Sequence, residues 1–138
     1  MTIQQFSLKL IAPDGVKYEE SATEVTLPTA DGQITVLPNH TALISLLKPG
    51  EIIIKNGSAE KILSTEGGIV EISNNLVKIL ADTADEASNL DEMKINEAKK
   101  AAETRLANAK NEVEFADAQA LLEKQLAKLT FIKRRRHR

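Results

Sequence analysis

All six glycines and all four prolines lie in the first half of the chain, the last at Gly68, and from Leu90 onward there is neither. Gly tolerates positive φ and Pro presets φ near −65°, so turns are cheap in the first region and unsupported in the second. A chain punctuated in this way forms many short elements first and a few long ones afterwards. The densest punctuation is Leu27–Gly50, where Ala30-Asp31-Gly32, Leu37-Pro38-Asn39-His40 and Lys48-Pro49-Gly50 interrupt the apolar segments Ile34–Leu37 and Ala42–Leu47.

Short strands fit between these turns. Phe6–Ile11 alternates apolar and polar, meets Pro13-Asp14-Gly15 and continues as Val16-Lys17-Tyr18, which reads as a hairpin. Glu24–Pro28 follows, with Val25 and Leu27 on one face. Glu51–Lys55 is a β-branched run suited to a buried strand, and Asn56-Gly57 is the strongest short hairpin signal in the chain. Glu60–Ser64 returns, and Gly68–Ile72 and Leu76–Leu80 flank the turn Ser73-Asn74-Asn75. Turn signals every 8–12 residues are the spacing of an antiparallel sandwich or flattened barrel. The expected N-terminal domain is therefore an antiparallel β-sandwich of about nine to ten short strands over residues 1–85.

At Asp82 the period changes. Asn89 is positioned to cap a helix, with Asp91 and Glu92 in the first turn facing the positive end of its dipole. Ala98, Ala101, Ala102, Arg105, Leu106, Ala109 and Val113 recur at helical spacing. Beyond a break near Asn111-Glu112, so do Ala118, Leu121, Leu122, Gln125, Leu126 and Leu129. Residues 90–138 thus read as an antiparallel two-helix hairpin with a basic tail, and the fold class is α+β. Its first helix offers mostly alanine. At about 25 cal/mol per Å², an Ala methyl contributes far less than the ~1.5–3 kcal/mol of a buried Leu. Such a hairpin is marginal alone, as a movable arm must be; a permanently docked helical cap is the other reading.

The remaining composition excludes several chemistries. There is no cysteine, which removes disulfides, thiolate nucleophiles and zinc–thiolate sites. One Tyr and three Phe are too few for a nucleic-acid stacking platform. No apolar run approaches ~20 residues, so any membrane role is expected to run through protein partners. The N-terminus carries no signal or transit pattern. Charge divides unevenly: residues 1–89 hold 6 Lys/Arg against 12 Asp/Glu, a net of −6, and residues 90–138 hold 12 against 8, a net of +4.

His40 is the obvious catalytic suspect, since the other histidine lies in the terminal tail. A Ser-His-Asp arrangement with Asp31 lacks a serine in the strained turn such a nucleophile needs, and no spaced partners offer a metal site. Gly67-Gly68 lacks the Lys-Ser/Thr of a phosphate loop and fits a bulge or close backbone packing. Lys133-Arg134-Arg135-Arg136-His137-Arg138 suits an acidic protein surface, anionic lipid or nucleic acid, but no broad basic face accompanies it.

Several of these stretches together resemble the epsilon subunit family of F-type ATP synthases. The family's sheet domain has a G-x-[IL]-x-x-x-P-x-H run followed by P-G, matched here by Gly32, Ile34, Pro38, His40 and Pro49-Gly50. Its G-G-[IF]-x-E-[VI] run, turn Asn and V-x-[IV]-L-A-D correspond to Gly67–Ile72, Asn75 and Val77–Asp82. The resemblance implies a non-catalytic central-stalk subunit. Its partners would be the gamma subunit, the c-ring and the alpha/beta catalytic subunits, with no nucleic acid. Asp31, Gln33 and His40 would contact the c-ring, and Lys133, Arg134, Arg135, Arg136 and Arg138 an acidic segment of the catalytic head. No cofactor is required. The family's ATP motif, [IL]-D-x-x-R-A, is matched at Leu90 and Asp91, but Lys94 and Ile95 replace Arg and Ala. With Asp117, Lys124 and Lys128 in place of arginines, ATP is expected only as a weak regulatory ligand, because Lys lacks the planar fork that reads phosphate and Asp would repel it. The implied location is the cytoplasmic face of the plasma membrane, or the stromal face of the thylakoid for an organellar chain. Two other readings stand beside this: a free-standing adaptor whose basic arm binds an acidic partner or nucleic acid, and a small hydrolase using His40.

Overall fold

A computed structural model describes residues 3–86 and 90–136, the last by its backbone. The described residues divide into two compact units, one up to Glu86 and one following it.

The first unit holds nine strands: β1 Phe6–Ala12, β2 Gly15–Ala22, β3 Glu24–Thr29, β4 Gly32–Val36, β5 Leu43–Leu47, β6 Gly50–Asn56, β7 Ala59–Thr65, β8 Gly68–Ser73 and β9 Leu76–Ala81. Their order is β2-β1-β9-β8-β5-β3-β6-β7, with β4 on the other edge of β3. β3 and β5 share only the pair Thr29↔Leu47, so the sheet turns a corner there. The result is two layers, β2-β1-β9-β8-β5 and β4-β3-β6-β7. Alternation fills the space between them. Phe6, Leu8 and Leu10 of β1, Val77 and Ile79 of β9, and Val70 and Ile72 of β8 face Val25 and Leu27 of β3 and Ile52 and Ile54 of β6 across one core.

The pairing is antiparallel with one exception: β1 and β9 run parallel, Ser7↔Leu76 through Ile11↔Leu80. A parallel pair needs a long crossover, and here the whole intervening chain supplies it. Local alternation carries no sign of strand direction, so this departs from the all-antiparallel expectation. The β6–β7 hairpin is also displaced by one residue. Asn56 pairs with Ala59, and Gly57 takes the first central position at φ +64°. The Asn-Gly type of turn appears instead as Asn74-Asn75, both at positive φ, between β8 and β9. After β9 the chain lies along the free edge of β7. Ser64 and Asp85 exchange backbone hydrogen bonds of 2.7 and 3.0 Å, Thr83 Oγ1 accepts from Glu66 N at 3.0 Å, and Glu86 pairs with Lys61 at 3.6 Å.

The second unit consists of α1 Glu92–Ala107 and α2 Glu112–Arg136. The expected cap, Asn89, lies outside the described residues. Asp91 caps α1 instead, its carboxylate accepting from Met93 N at 3.0 Å and Lys94 N at 3.3 Å. α2 opens on a variant of the capping box: Asn111 Oδ1 accepts from Glu114 N at 2.8 Å, while Glu114 accepts from Lys110 N at 2.9 Å. The alanine seam is narrower than its spacing implies. Ala102 and Ala118 are buried, but Ala98 and Ala101 face solvent and Val113 is 70% exposed. Ile95, Leu129 and Ile132 instead form a small apolar cluster with Leu90 against it.

Candidate functional site

The strand register places five outward side chains in a row across one layer. Leu46 of β5 lies beside Ile69 of β8, Ile69 beside Leu80 of β9, Leu80 beside Ile11 of β1, and Ile11 beside Val16 of β2. At about 4.8 Å between strands this belt is roughly 19 Å long. Leu46 is 62% exposed, Val16 54%, Leu80 47% and Ile69 43%, and Ile11 is half-buried. Below the belt, one pleat toward the β8–β9 turn, runs the row Ile44, Glu71, Lys78, Lys9 and Glu19, in which Lys9 and Glu19 pair at 3.7 Å. A continuous apolar row bordered by charges of both signs has the composition of a protein-docking surface, in which apolar area supplies burial and charges set register.

Sequence reasoning misses this belt, because simple alternation points apolar side chains to the interior alone. A signal was present. Ala42–Leu47, Gly68–Ile72 and Leu76–Leu80 carry apolar residues at both parities, so each must present some of them outward.

The residues implied as c-ring contacts fall into two groups. Asp31 sits in the exposed β3–β4 turn and Gln33 is exposed beside it on β4. His40 belongs to the loop that leaves the other end of β4. Asn39 N in that loop donates to Asn75 Oδ1 at 2.7 Å, tying it to the β8–β9 turn. β4 has five residues, roughly 16 Å of extended chain, so Asp31 and His40 occupy opposite ends of the sandwich. One flat surface at one end cannot touch both. The same separation removes a His40–Asp31 dyad and with it the hydrolase reading. The His40 ring is bonded locally, its Nδ1 lying 2.6 Å from the Thr41 carbonyl oxygen.

On the hairpin, the Asp91 carboxylate is engaged as the α1 cap. Lys94 is exposed, and Lys124 and Lys128, one turn apart on α2, are half-buried. Lys94 and Lys128 are sequence neighbours of Ile95 and Leu129, two members of the apolar cluster. In the tail, Lys133 and Arg134 are exposed, and the Arg135 guanidinium lies over the Phe131 ring at 5.6 Å from its centre. Arg138 and the side chain of Arg136 lie outside the described residues.

Electrostatic perturbation is found in the β1–β2 hairpin. The Lys17 ammonium donates to Asp14 at 2.6 Å, which holds the Asp14 carboxyl below its usual range and raises Lys17. Burial pushes the Tyr18 phenol up. Among the described residues no group of three or more His, Cys, Asp or Glu is arranged to hold a metal ion, and no helix is long and apolar enough to cross a membrane.

Comparison with known proteins matches this architecture. Residues 5–87 fit the family model described as ATP synthase, Delta/Epsilon chain, beta-sandwich domain. The ATP synthase epsilon chain of Acidithiobacillus ferridurans is 38% identical over 129 residues, covering 94% of this chain and 92% of that one. The epsilon chain of Janthinobacterium sp. (strain Marseille) is 40% identical over 123 residues, covering 88% of each. Among solved structures, a chain of the Euglena gracilis mitochondrial ATP synthase (OSCP/F1/c-ring, rotational state 1) superposes with a TM-score of 0.80 at 21% identity, covering 94% of this chain and 83% of that one. A chain of the Tetrahymena thermophila mitochondrial ATP synthase central stalk and c-ring gives 0.69 at 13% identity, covering 96% and 99%.

Proposed function

The chain belongs to the ATP synthase epsilon-chain family, and on that premise we propose that its sandwich docks the central stalk while its hairpin acts as a movable regulatory arm. It is a non-catalytic subunit of a membrane-bound F-type complex. The relationship extends over both units, and so displaces the free-standing adaptor reading.

The belt Leu46–Ile69–Leu80–Ile11–Val16 carries the docking proposal. A rotor subunit must transmit torque without slipping, and a wide apolar contact with flanking charges provides grip and register. We assign this face to the gamma subunit. The c-ring contact is assigned to the Asp31–Gln33 end alone, since His40 stands at the other. In its extended form the arm would meet the catalytic head through Lys133, Arg134, Arg135, Arg136 and Arg138 and slow ATP hydrolysis. In its closed form it would permit turnover. ATP is proposed as a weak ligand held by Lys94, Lys124 and Lys128, with Asp91 fixing the start of α1. The complex would present this subunit on the cytoplasmic face of the plasma membrane, or on the stromal face in a plastid.

The test is the double variant Leu46→Lys, Leu80→Lys. Both side chains are outside the core, so the circular dichroism spectrum of the sandwich should not change. Affinity for the gamma subunit, measured by calorimetry, should fall by on the order of a hundredfold, the scale of two lost interface anchors. Unchanged affinity would return the belt to ordinary surface.

A further inference from the structure

The helical hairpin is packed unevenly along its length. Where the start of α1 meets the end of α2, Ile95, Leu129 and Ile132 are 7, 7 and 8% exposed, and Leu90 packs against them. Toward the α1–α2 turn two apolar side chains face solvent, Val113 at 70% exposure and Phe115 at 49%, while Leu106 is half-buried. The buried positions between are Ala102 and Ala118, which offer little area. Each helix meanwhile has a cap of its own. Asp91 serves α1, and Asn111 with Glu114 serves α2, so separating the helices leaves these bonds intact.

We propose that Ile95, Leu129 and Ile132 form an apolar clasp at the open end of the hairpin, and that this clasp, without nucleotide, sets the fraction of arms that are closed. The inference rests on the reading of the hairpin as a movable arm. Its physical basis is that these three aliphatic side chains, with Leu90 against them, form a buried apolar cluster between two helices that keep their own caps. A contact so small and localised can be broken as a unit. Opening exposes few groups and leaves both helices formed, as a two-state switch requires. Ile95 is the sensitive position, because α1 contributes one side chain to the cluster and α2 contributes two.

The chain has no cysteine, so spin labels can be placed at Glu97→Cys and Lys133→Cys, both exposed positions on the two helices. Electron–electron resonance on the full chain should give a short distance in the parent. In Ile95→Ala the open-to-closed ratio should rise by on the order of tenfold or more, and Ile95→Leu should restore the parent distribution. With no nucleotide added, the parent should already be mostly closed. Distances that do not respond to Ile95→Ala would overturn the clasp, as would a loss of far-ultraviolet helicity, which would mean melting in place of opening. ATP hydrolysis by the reassembled complex separates the two claims. If Ile95→Ala opens the hairpin and slows hydrolysis, both hold. If it opens the hairpin and hydrolysis is unaffected, the clasp stands and the arm is not regulatory.

Discussion

Gly68 shows how one residue can be required by its surroundings. It opens β8 between Leu47 of β5 and Ala81 of β9, at φ +148°. A β-carbon there would collide with the Leu80 carbonyl oxygen and come within 2.8 Å of Ala81 Cα, both backbone atoms that cannot swing aside. Gly68→Ala combines a disfavoured φ with overpacking, and should cost about 3 kcal/mol, read as a lower urea midpoint at unchanged slope. A substitution with no effect on the midpoint would mean the β8–β9 edge yields. From the residues alone, Gly67-Gly68 can be recognised as a tight place but not as a contact with Leu80, because that contact comes from strand pairing. His40 makes the same point. Its loop chemistry is plain in Pro38-Asn39-His40, yet its distance from Asp31 depends on β4 lying straight between them.

At the scale of elements, helices and strands differed in how much they disclosed. The two helices follow from the loss of Gly and Pro after residue 90 and from their periodicity. Their buried faces do not, because alanine occurs on several sides of α1 and is compatible with all of them. Ala98 and Ala101 therefore look like core residues and lie in solvent, while Ile95 is part of the packing. The start of α1 shifts for a related reason: Asn89 and Asp91 are both good caps, and the hydrogen bonds to Met93 and Lys94 select Asp91. Asp91→Ala should remove about 1 kcal/mol from the first turn of α1. The expected signature is faster amide exchange at Met93 and Lys94 with the sandwich amides unchanged. Equal exchange in both forms would show that another group caps the helix. Among strands, the alternation that fills the core is legible throughout, whereas the parallel β1–β9 pair is not.

For the whole molecule, the sandwich carries its own core, and the proposed docking belt lies entirely within it. A chain ending at Glu86 should therefore unfold in one cooperative transition and bind the gamma subunit within about 0.5 kcal/mol of the full chain, as independent sites do. The complex reassembled with it should hydrolyse ATP without the restraint of the arm. Failure to bind gamma would show that the helices complete the docking surface. Taken by itself, the sequence determined the kind and approximate number of elements, the change from short strands to long helices between residues 85 and 90, the absence of thiol chemistry and the family. Each of these depends on local periodicity, turn chemistry or ordered motifs. Tertiary structure alone decided that Leu46, Ile69, Leu80, Ile11 and Val16 form one belt, that Asp31 and His40 stand at opposite ends, and that Ile95 meets Leu129 and Ile132. These arrangements join residues far apart in the chain. Their relative positions follow from strand order, register and helix facing, which are settled by how the whole core packs and are written in no single segment.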